Sequence, residues 1–356
     1  MINKGKITID WINTVSKKNR NADKILVEKV IRALLILEGL VKYKVPFIFK
    51  GGTALMLHLN STKRLSIDID VIFSEEYDEL GELLDKMAEE QGFLRVELQY
   101  RNTSSKIKKE HFKFFYTPVH KSNKVEEYIL LDILYEETFY AKLVKIPIQS
   151  SFTPNEGESL MVDVPCLEDM LGDKLTAFAP NTTGIPYFKR GDSMSMEIIK
   201  QLYDIGNLVD VVDNTDIIKA TFSKFASTEL AYRNTEGLTE ENVLEDIFQT
   251  SLCIVTRGAD GKGDFGQLQK GIQRISGYIF SESYHIEKAI THASKAAYIA
   301  TLIEQNGDTI EKFENPTQIK NWIIQEPGNR KLNKLKKSNP EAFFYWYKIH
   351  ELTQEK

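Results

Sequence analysis

The stretch RLSIDIDVIF, Arg64 to Phe73, constrains this chain more than any other. Leu65, Ile67, Ile69 and Val71 alternate with Ser66, Asp68 and Asp70. That alternation predicts a strand carrying Ser66, Asp68 and Asp70 on one face. Same-face neighbours on a strand lie about 6.5 Å apart at Cα. Two carboxylates that close on a half-buried strand repel one another, so a bound cation or a proton is needed to hold both. Divalent magnesium favours carboxylate oxygens together with substrate phosphates.

The segment before it points to the same chemistry. FIFK reads as a short buried strand after Pro46, and GGTALMLHL as a turn running into a helix. Paired glycines let the backbone turn sharply and come close to a ligand. A helix start directs free N–H groups and a positive dipole end at the same place. Lys50, Gly51, Gly52 and Thr53 are therefore candidate phosphate-binding residues, with Thr53 either capping the helix or bonding a phosphate oxygen. Arg64, on the face of Ser66 and the acids, either meets phosphate or pairs with Asp68. A third acid, Asp132, interrupts the apolar run YILLDILY. A lone buried carboxylate there costs several kcal/mol unless ligated or paired, on the order of the penalty for an isolated buried charge. It reads as a third metal ligand or as a base for an attacking hydroxyl.

At 356 residues the chain exceeds the usual size of one hydrophobic core, which predicts two domains. A helix is expected over Asn21–Lys42, where Ile25, Val30, Ile31, Leu34, Leu35 and Leu37 fall at helical spacing and Asn21 is a candidate cap. Beyond the acidic strand come a helix in EEYDELGELLDKMAEEQGF and strands in LRVELQYR, HFKFFYTPV and EYILLDILYEE, in meander-like order. From about Pro165 the pattern becomes helix after helix. The reading is a mixed half, 1–160, and a helical half, 161–356, with residues about 165–210 contributing to an active-site cleft. The loops PNTTGIPYFKRGDS and VTRGADGKGDFG are expected to be mobile from their Gly, Asp and Asn content.

Hydrophobic residues at 42% and charged residues at 27% exclude a chain that is mostly disordered. The net charge of −5 means that an anionic partner must be gripped by local basic patches. One candidate is the turn that also holds Arg101, with Lys106, Lys108, Lys109 and Lys113. Another is Arg330, Lys331, Lys334, Lys336 and Lys337 ahead of the aromatic run Phe343–Tyr347, although a solvated loop before a core helix explains that segment more simply. Cys166 and Cys253 have no metal-ligand spacing and suggest a reducing compartment. With no apolar leader and no long apolar span, a cytoplasmic protein is expected.

Taken together, FKGGTAL followed by KRLSIDIDV resembles the first two motifs of the AbiEii/AbiGii-type toxin family, within the nucleotidyltransferase superfamily. Its third motif centres on a helical lysine, and GDKLTAF supplies Lys174, Leu175 and Ala177. Its fourth resembles Arg-Asp-x-Tyr-Asp-Leu, and KQLYDIGNL supplies Lys200, Gln201, Tyr203, Asp204 and Ile205. Gln201 and Lys200 depart from that pattern. The resemblance covers roughly residues 45–210. It implies an α+β fold: a nucleotidyltransferase-type mixed β-sheet core with flanking helices, followed by a helical C-terminal domain. It also implies transfer of a nucleoside monophosphate from NTP, with Mg2+ (or Mn2+), to RNA such as a tRNA end or to a protein. Asp68, Asp70, Lys174 and Asp204 would be the catalytic set, with Asp204 either anchoring Lys174 or binding nucleotide. A nearby antitoxin would be the partner. The same residue types also suit γ-phosphate transfer or a nucleotide- or RNA-binding regulator.

Overall fold

A computed structural model describes residues 1–59, 63–77, 79–100, 108–120, 125–233, 237–325 and 329–354. By its internal contacts the chain divides into two compact units. The first is Met1–Cys166 with Gly277–Ser283, and the second is Leu167–Ser276 with Tyr284–Lys356.

The first unit carries α1 (Ile9–Lys18), α2 (Lys24–Lys42), β1 (Ile48–Lys50), α3 (Gly51–His58), β2 (Ile69–Phe73), α4 (Leu80–Gln91), β3 (Arg95–Leu98), β4 (Lys109–Tyr116), β5 (Glu127–Tyr135), β6 (Leu143–Pro147) and β7 (Met161–Pro165). Five strands form one sheet in the order β1-β2-β5-β4-β3, while β6 and β7 form a separate antiparallel ribbon. β2 and β5 are parallel and the other neighbours in the large sheet are antiparallel. β3, β4 and β5 make the expected meander. β5 shows what drives its placement: Glu127, Ile129, Leu131 and Ile133 are buried, while Tyr128, Leu130, Asp132 and Leu134 are half-buried. The period of two puts one row of side chains into the core and the other on a more open face.

α2 buries Val27, Val30, Ile31, Leu34, Leu35 and Leu37 completely. Its cap is Asp23, which accepts from Leu26 N at 3.0 Å. Asn21, the expected cap, instead adopts a left-handed turn at φ 59°. The two acids buried in α2 are satisfied: the Glu28 carboxylate accepts from the backbone N–H groups of Val119 and His120 and from Arg32, and Glu38 Oε1 accepts from Ile2 N at 2.9 Å. Carboxylates are tolerated inside a core only with such partners.

The second unit is built from α5 (Leu167–Ala177), a small hairpin of β8 (Phe188–Lys189) and β9 (Asp192–Ser193), α6 (Ser195–Leu208), α7 (Thr215–Arg233), α8 (Glu240–Val255), α9 (Phe265–Ile275), α10 (Ile286–Glu304), the short α11 (Leu335–Ser338) and α12 (Pro340–Gln354). α10 packs against α6, α8 and α12. Its buried Ala289, Ala293, Ala296, Ala297 and Ala300 keep it slim enough for three neighbours to approach. Its buried Lys295 is held by Asp210 at 2.6 Å and Glu341 at 2.8 Å.

Two expectations change here, and the simpler reading of the aromatic run holds. The acidic strand is shorter than its alternation suggested: β2 begins at Ile69, so Asp68 lies in the segment that leads into it. The two glycine-containing loops are tied rather than free of partners. Asp246 accepts from Asn181 N at 2.8 Å, Asn181 Nδ2 at 2.6 Å and Thr182 Oγ1 at 2.9 Å, and Thr256 Oγ1 bonds the Asp260 carbonyl at 2.9 Å. In the aromatic run, Phe343, Phe344, Tyr345 and Trp346 are all buried, so these rings are core. Tyr347 stacks on Trp322 at 4.4 Å. Lys331 pairs with Asp260 at 3.0 Å, and Lys336 donates to the Trp322 carbonyl. In the basic turn, Arg101 and Lys106 lie outside the described residues. Lys108 pairs with Glu76 at 2.6 Å.

Candidate active site

The first unit assembles the glycine turn and the acids from neighbouring strands. β1 ends at Lys50 and α3 begins at once at Gly51, with Lys50 in the cap position and no side-chain cap bond. Gly51 sits at φ +79°, a left-handed conformation that side chains resist. A Cβ on Gly51 would overlap the Asp70 carboxylate. One on Gly52 would come within 2.6 Å of Arg64 Nη2 and 2.7 Å of Ser66 Oγ. The paired glycines are thus required twice over, for the turn itself and for the approach of Asp70, Arg64 and Ser66 to bare backbone.

Arg64 is 8% exposed, and its Nη1 donates to the Leu65 carbonyl at 3.3 Å. Thr53 is fully buried and does not cap α3: its hydroxyl donates to the Asp68 carbonyl at 2.6 Å. That bond ties the start of α3 to the acid-bearing segment, and it takes the only proton this hydroxyl could offer a phosphate. Lys50 Nζ lies 6.0 Å from the centre of the Tyr140 ring.

Strand register then decides which acids meet. Lys50 is the cross-strand partner of Asp70, Asp70 of Asp132, and Asp132 of His111. The four residues form a row across β1, β2, β5 and β4 on one face. His111 Nδ1 lies 2.6 Å from Asp132 Oδ1. Among the described residues, no three His, Cys, Asp or Glu side chains gather closely enough to hold a metal ion by themselves. The third acid is engaged by His111.

A strap from far along the chain borders this site. Leu65 N donates to the Tyr278 carbonyl at 2.8 Å, and Arg64 bridges Ile279. Ser281 Oγ donates to the Lys63 carbonyl at 2.9 Å, while Phe280 packs edge-on to Phe152 at 5.4 Å. Neither His111 nor this strap was singled out from sequence. The only signal for His111 was a polar residue at alternate spacing in KEHFKFFY, and nothing local places 277–283 beside residue 64.

In the second unit, Lys174 on α5 and Asp204 on α6 form an ion pair of 2.7 Å, with side-chain exposures of 8% and 4%. Gln201 Oε1 also accepts from Lys174 Nζ, at 3.3 Å. Gln201, the departure from the resembled motif, therefore supplies a neutral acceptor one helical turn before Asp204. Lys200 pairs with Glu197 at 3.0 Å. Tyr203 is buried, edge-on to Tyr284 at 5.1 Å.

Among the described residues, no helix is long and apolar enough to cross a membrane. No curated protein matches the chain. Among solved structures it is similar to MenT4, a nucleotidyltransferase toxin from Mycobacterium tuberculosis H37Rv. The TM-score is 0.51 and the identity 12%, covering 82% of this chain and 89% of that one. It also matches JHP933 from Helicobacter pylori, with a TM-score of 0.40 and 15% identity over 82% of this chain and 94% of that one. The likeness to MenT4 is one of fold, and it agrees with the α+β architecture expected from sequence. The family profile described as "Nucleotidyl transferase AbiEii toxin, Type IV TA system" matches residues 35–271, which include both glycines, all three acids, Lys174 and Asp204. With more than half of its length matched, and as its motifs led one to expect, the chain belongs to the AbiEii family of nucleotidyl transferase toxins.

Proposed function

We propose that this protein transfers a nucleoside monophosphate from NTP to an acceptor hydroxyl on RNA, a tRNA end in particular, and that this transfer is its toxic act. The observation that carries the reading is the direct pairing of Asp70 with Asp132 beside the Gly51–Gly52 turn. Like charges directly opposed across two strands destabilise a sheet. Such an arrangement is expected where a site binds a cation and phosphates. The acceptor oxygen would attack the α-phosphorus and pass its proton to water, and the bond to the β-phosphate would break to release pyrophosphate.

Asp68 and Asp70 would hold Mg2+ or Mn2+, with Asp132 completing the acidic face. The donors are hard carboxylate oxygens, and Mg2+ is typically bound by one or two carboxylates plus substrate phosphates, so the set fits. Bound there, the ion would offset charge developing on the phosphates. Gly51, Gly52 and Lys50 would receive the triphosphate at the start of α3, with Arg64 and Ser66 beside them. Lys174, anchored by Asp204, would stabilise the departing pyrophosphate. Its assignment rests on motif order within the family match. An antitoxin, implied by the type IV toxin–antitoxin description, would be the partner.

The test is incubation with each α-labelled NTP, magnesium and total bacterial RNA, followed by gel separation of RNA and protein. Label on RNA that disappears with Asp70→Ala is the expected result. Label on protein would replace the acceptor. No label from α-labelled NTP, with label transferred in a repeat using γ-labelled NTP, would overturn nucleotidyl transfer in favour of phosphoryl transfer.

A further inference from the structure

The third acid has a dedicated partner. His111 and Asp132 are directly opposed across antiparallel strands, where Cβ atoms lie about 4.5–5.5 Å apart. At that spacing a short aspartate reaches an imidazole ring without backbone adjustment, and Nδ1 and Oδ1 stand 2.6 Å apart. The exposures differ: the His111 side chain keeps 11% and that of Asp132 31%. The histidine is the sunken member, and the aspartate is the one that reaches the open face. On its other side Asp132 is the partner of Asp70. The two repelling carboxylates are thus flanked within one row by Lys50 and by an N–H donor.

We infer that His111 is a positioning residue for nucleotidyl transfer, acting through Asp132; the inference rests on the reading of this row as the transfer site. A carboxylate offers two oxygens. The Nδ1–H of His111 takes Oδ1 and stops rotation of the group, which leaves Oδ2 as the oxygen presented beside Asp70. The orienting cost is then met by the folded sheet and not at the moment of substrate binding. Hydrogen-bond partners standing behind metal-binding side chains typically contribute 10- to 100-fold in metal affinity or activity.

The experiment is a double-mutant cycle on the full chain, read as Mn2+ affinity by the paramagnetic resonance signal of the free ion. A non-hydrolysable NTP is present, and kcat/KM is measured in parallel. The variants are His111→Leu, which keeps volume and loses the donor, His111→Asn, which keeps a donor near the Nδ1 position, Asp132→Asn, and Asp132→Asn with His111→Leu. His111→Leu is expected to weaken Mn2+ binding about 10- to 100-fold, and His111→Asn to stay within a few-fold of the unaltered protein. In the Asp132→Asn background, His111→Leu should change little, because its effect passes through Asp132. Equal affinities for the Leu and unaltered proteins, or independent effects of the two positions, overturn the inference. The Asn variant, compared with unaltered protein, still decides the matter if the Leu protein does not fold: a loss as large as that of Asp132→Asn would show that the donor is not what matters. Asp70→Asn serves as the control for the underlying reading. If it binds Mn2+ as well as unaltered protein does, the transfer site itself has been misplaced.

Discussion

The Lys174–Asp204 pair separates a structural role from a functional one. Both side chains are almost wholly buried, at 8% and 4% exposure. Removing one partner of such a pair leaves an uncompensated charge and costs about 3–5 kcal/mol. In Asp204→Ala the Gln201 carbonyl at 3.3 Å still accepts from the lysine, so the loss should fall at the lower end, about 3 kcal/mol. For units of about 150–250 residues each kcal/mol moves Tm by about 2–4 °C, which gives a drop of about 6–12 °C. The double variant Lys174→Met with Asp204→Val removes both charges and stays close to the volume of the pair. It should melt close to the unaltered protein or above it, because an apolar replacement of a buried pair is neutral or stabilising. Calorimetry measures these differences, and the labelled-NTP assay is run on the same samples. If Lys174 stabilises the leaving pyrophosphate, the well-folded double variant should lose about 10²- to 10³-fold in transfer, the usual loss on removing one such electrostatic group. A double variant that folds and still transfers would refute the catalytic assignment. A single variant that melts within a degree of the unaltered protein would refute the burial argument.

Three further outcomes follow from the same geometry. Gly51→Ala meets both a left-handed backbone and the Asp70 carboxylate, so the backbone alone should cost about 1–2 kcal/mol, and NTP affinity measured by calorimetry should fall well beyond the loss in Tm. Ile279→Ala empties a buried position in the strap and should cost about 2–5 kcal/mol in urea unfolding, with weaker NTP binding because Arg64 and Leu65 lose their partner segment. Hydrogen bonds from Lys6, then from Asn3, hold the Glu156 carboxylate below its ordinary value of 4.5. Its contribution is present above pH 4.5 and is lost as pH falls through the lowered folded value. Amide protection at Asn3–Thr8, taken against the intrinsic exchange rate at each pH, should therefore fall at acid pH in the unaltered protein, and Glu156→Gln should abolish most of that change.

Much of the site was legible because its parts are local. Glycines at a strand end, alternating acids and an amphipathic helix each express their chemistry over a few residues, through backbone freedom, strand period and helix period. That is why Gly51, Gly52, Asp70 and Asp132 could be named as candidates before any fold was in hand, while Lys174 and Asp204 came from the order of the motifs by which the family was recognisable. Short-range competition explains the local errors. Asn21 took a left-handed turn and left the cap to Asp23, while Asp68 fell before the strand that its spacing implied.

What the tertiary structure decided was partnership. Asp70 meets Asp132 because β2 pairs with β5 in one register, and a slip of one residue would have turned either carboxylate to the opposite face. His111 reaches Asp132 through a second pairing, Gln201 reaches Lys174 from another helix, and residues 277–283 return to residues 63–65 from far along the chain. Register and return are set by which apolar faces can be buried together, a property of the whole core that no short stretch of sequence carries.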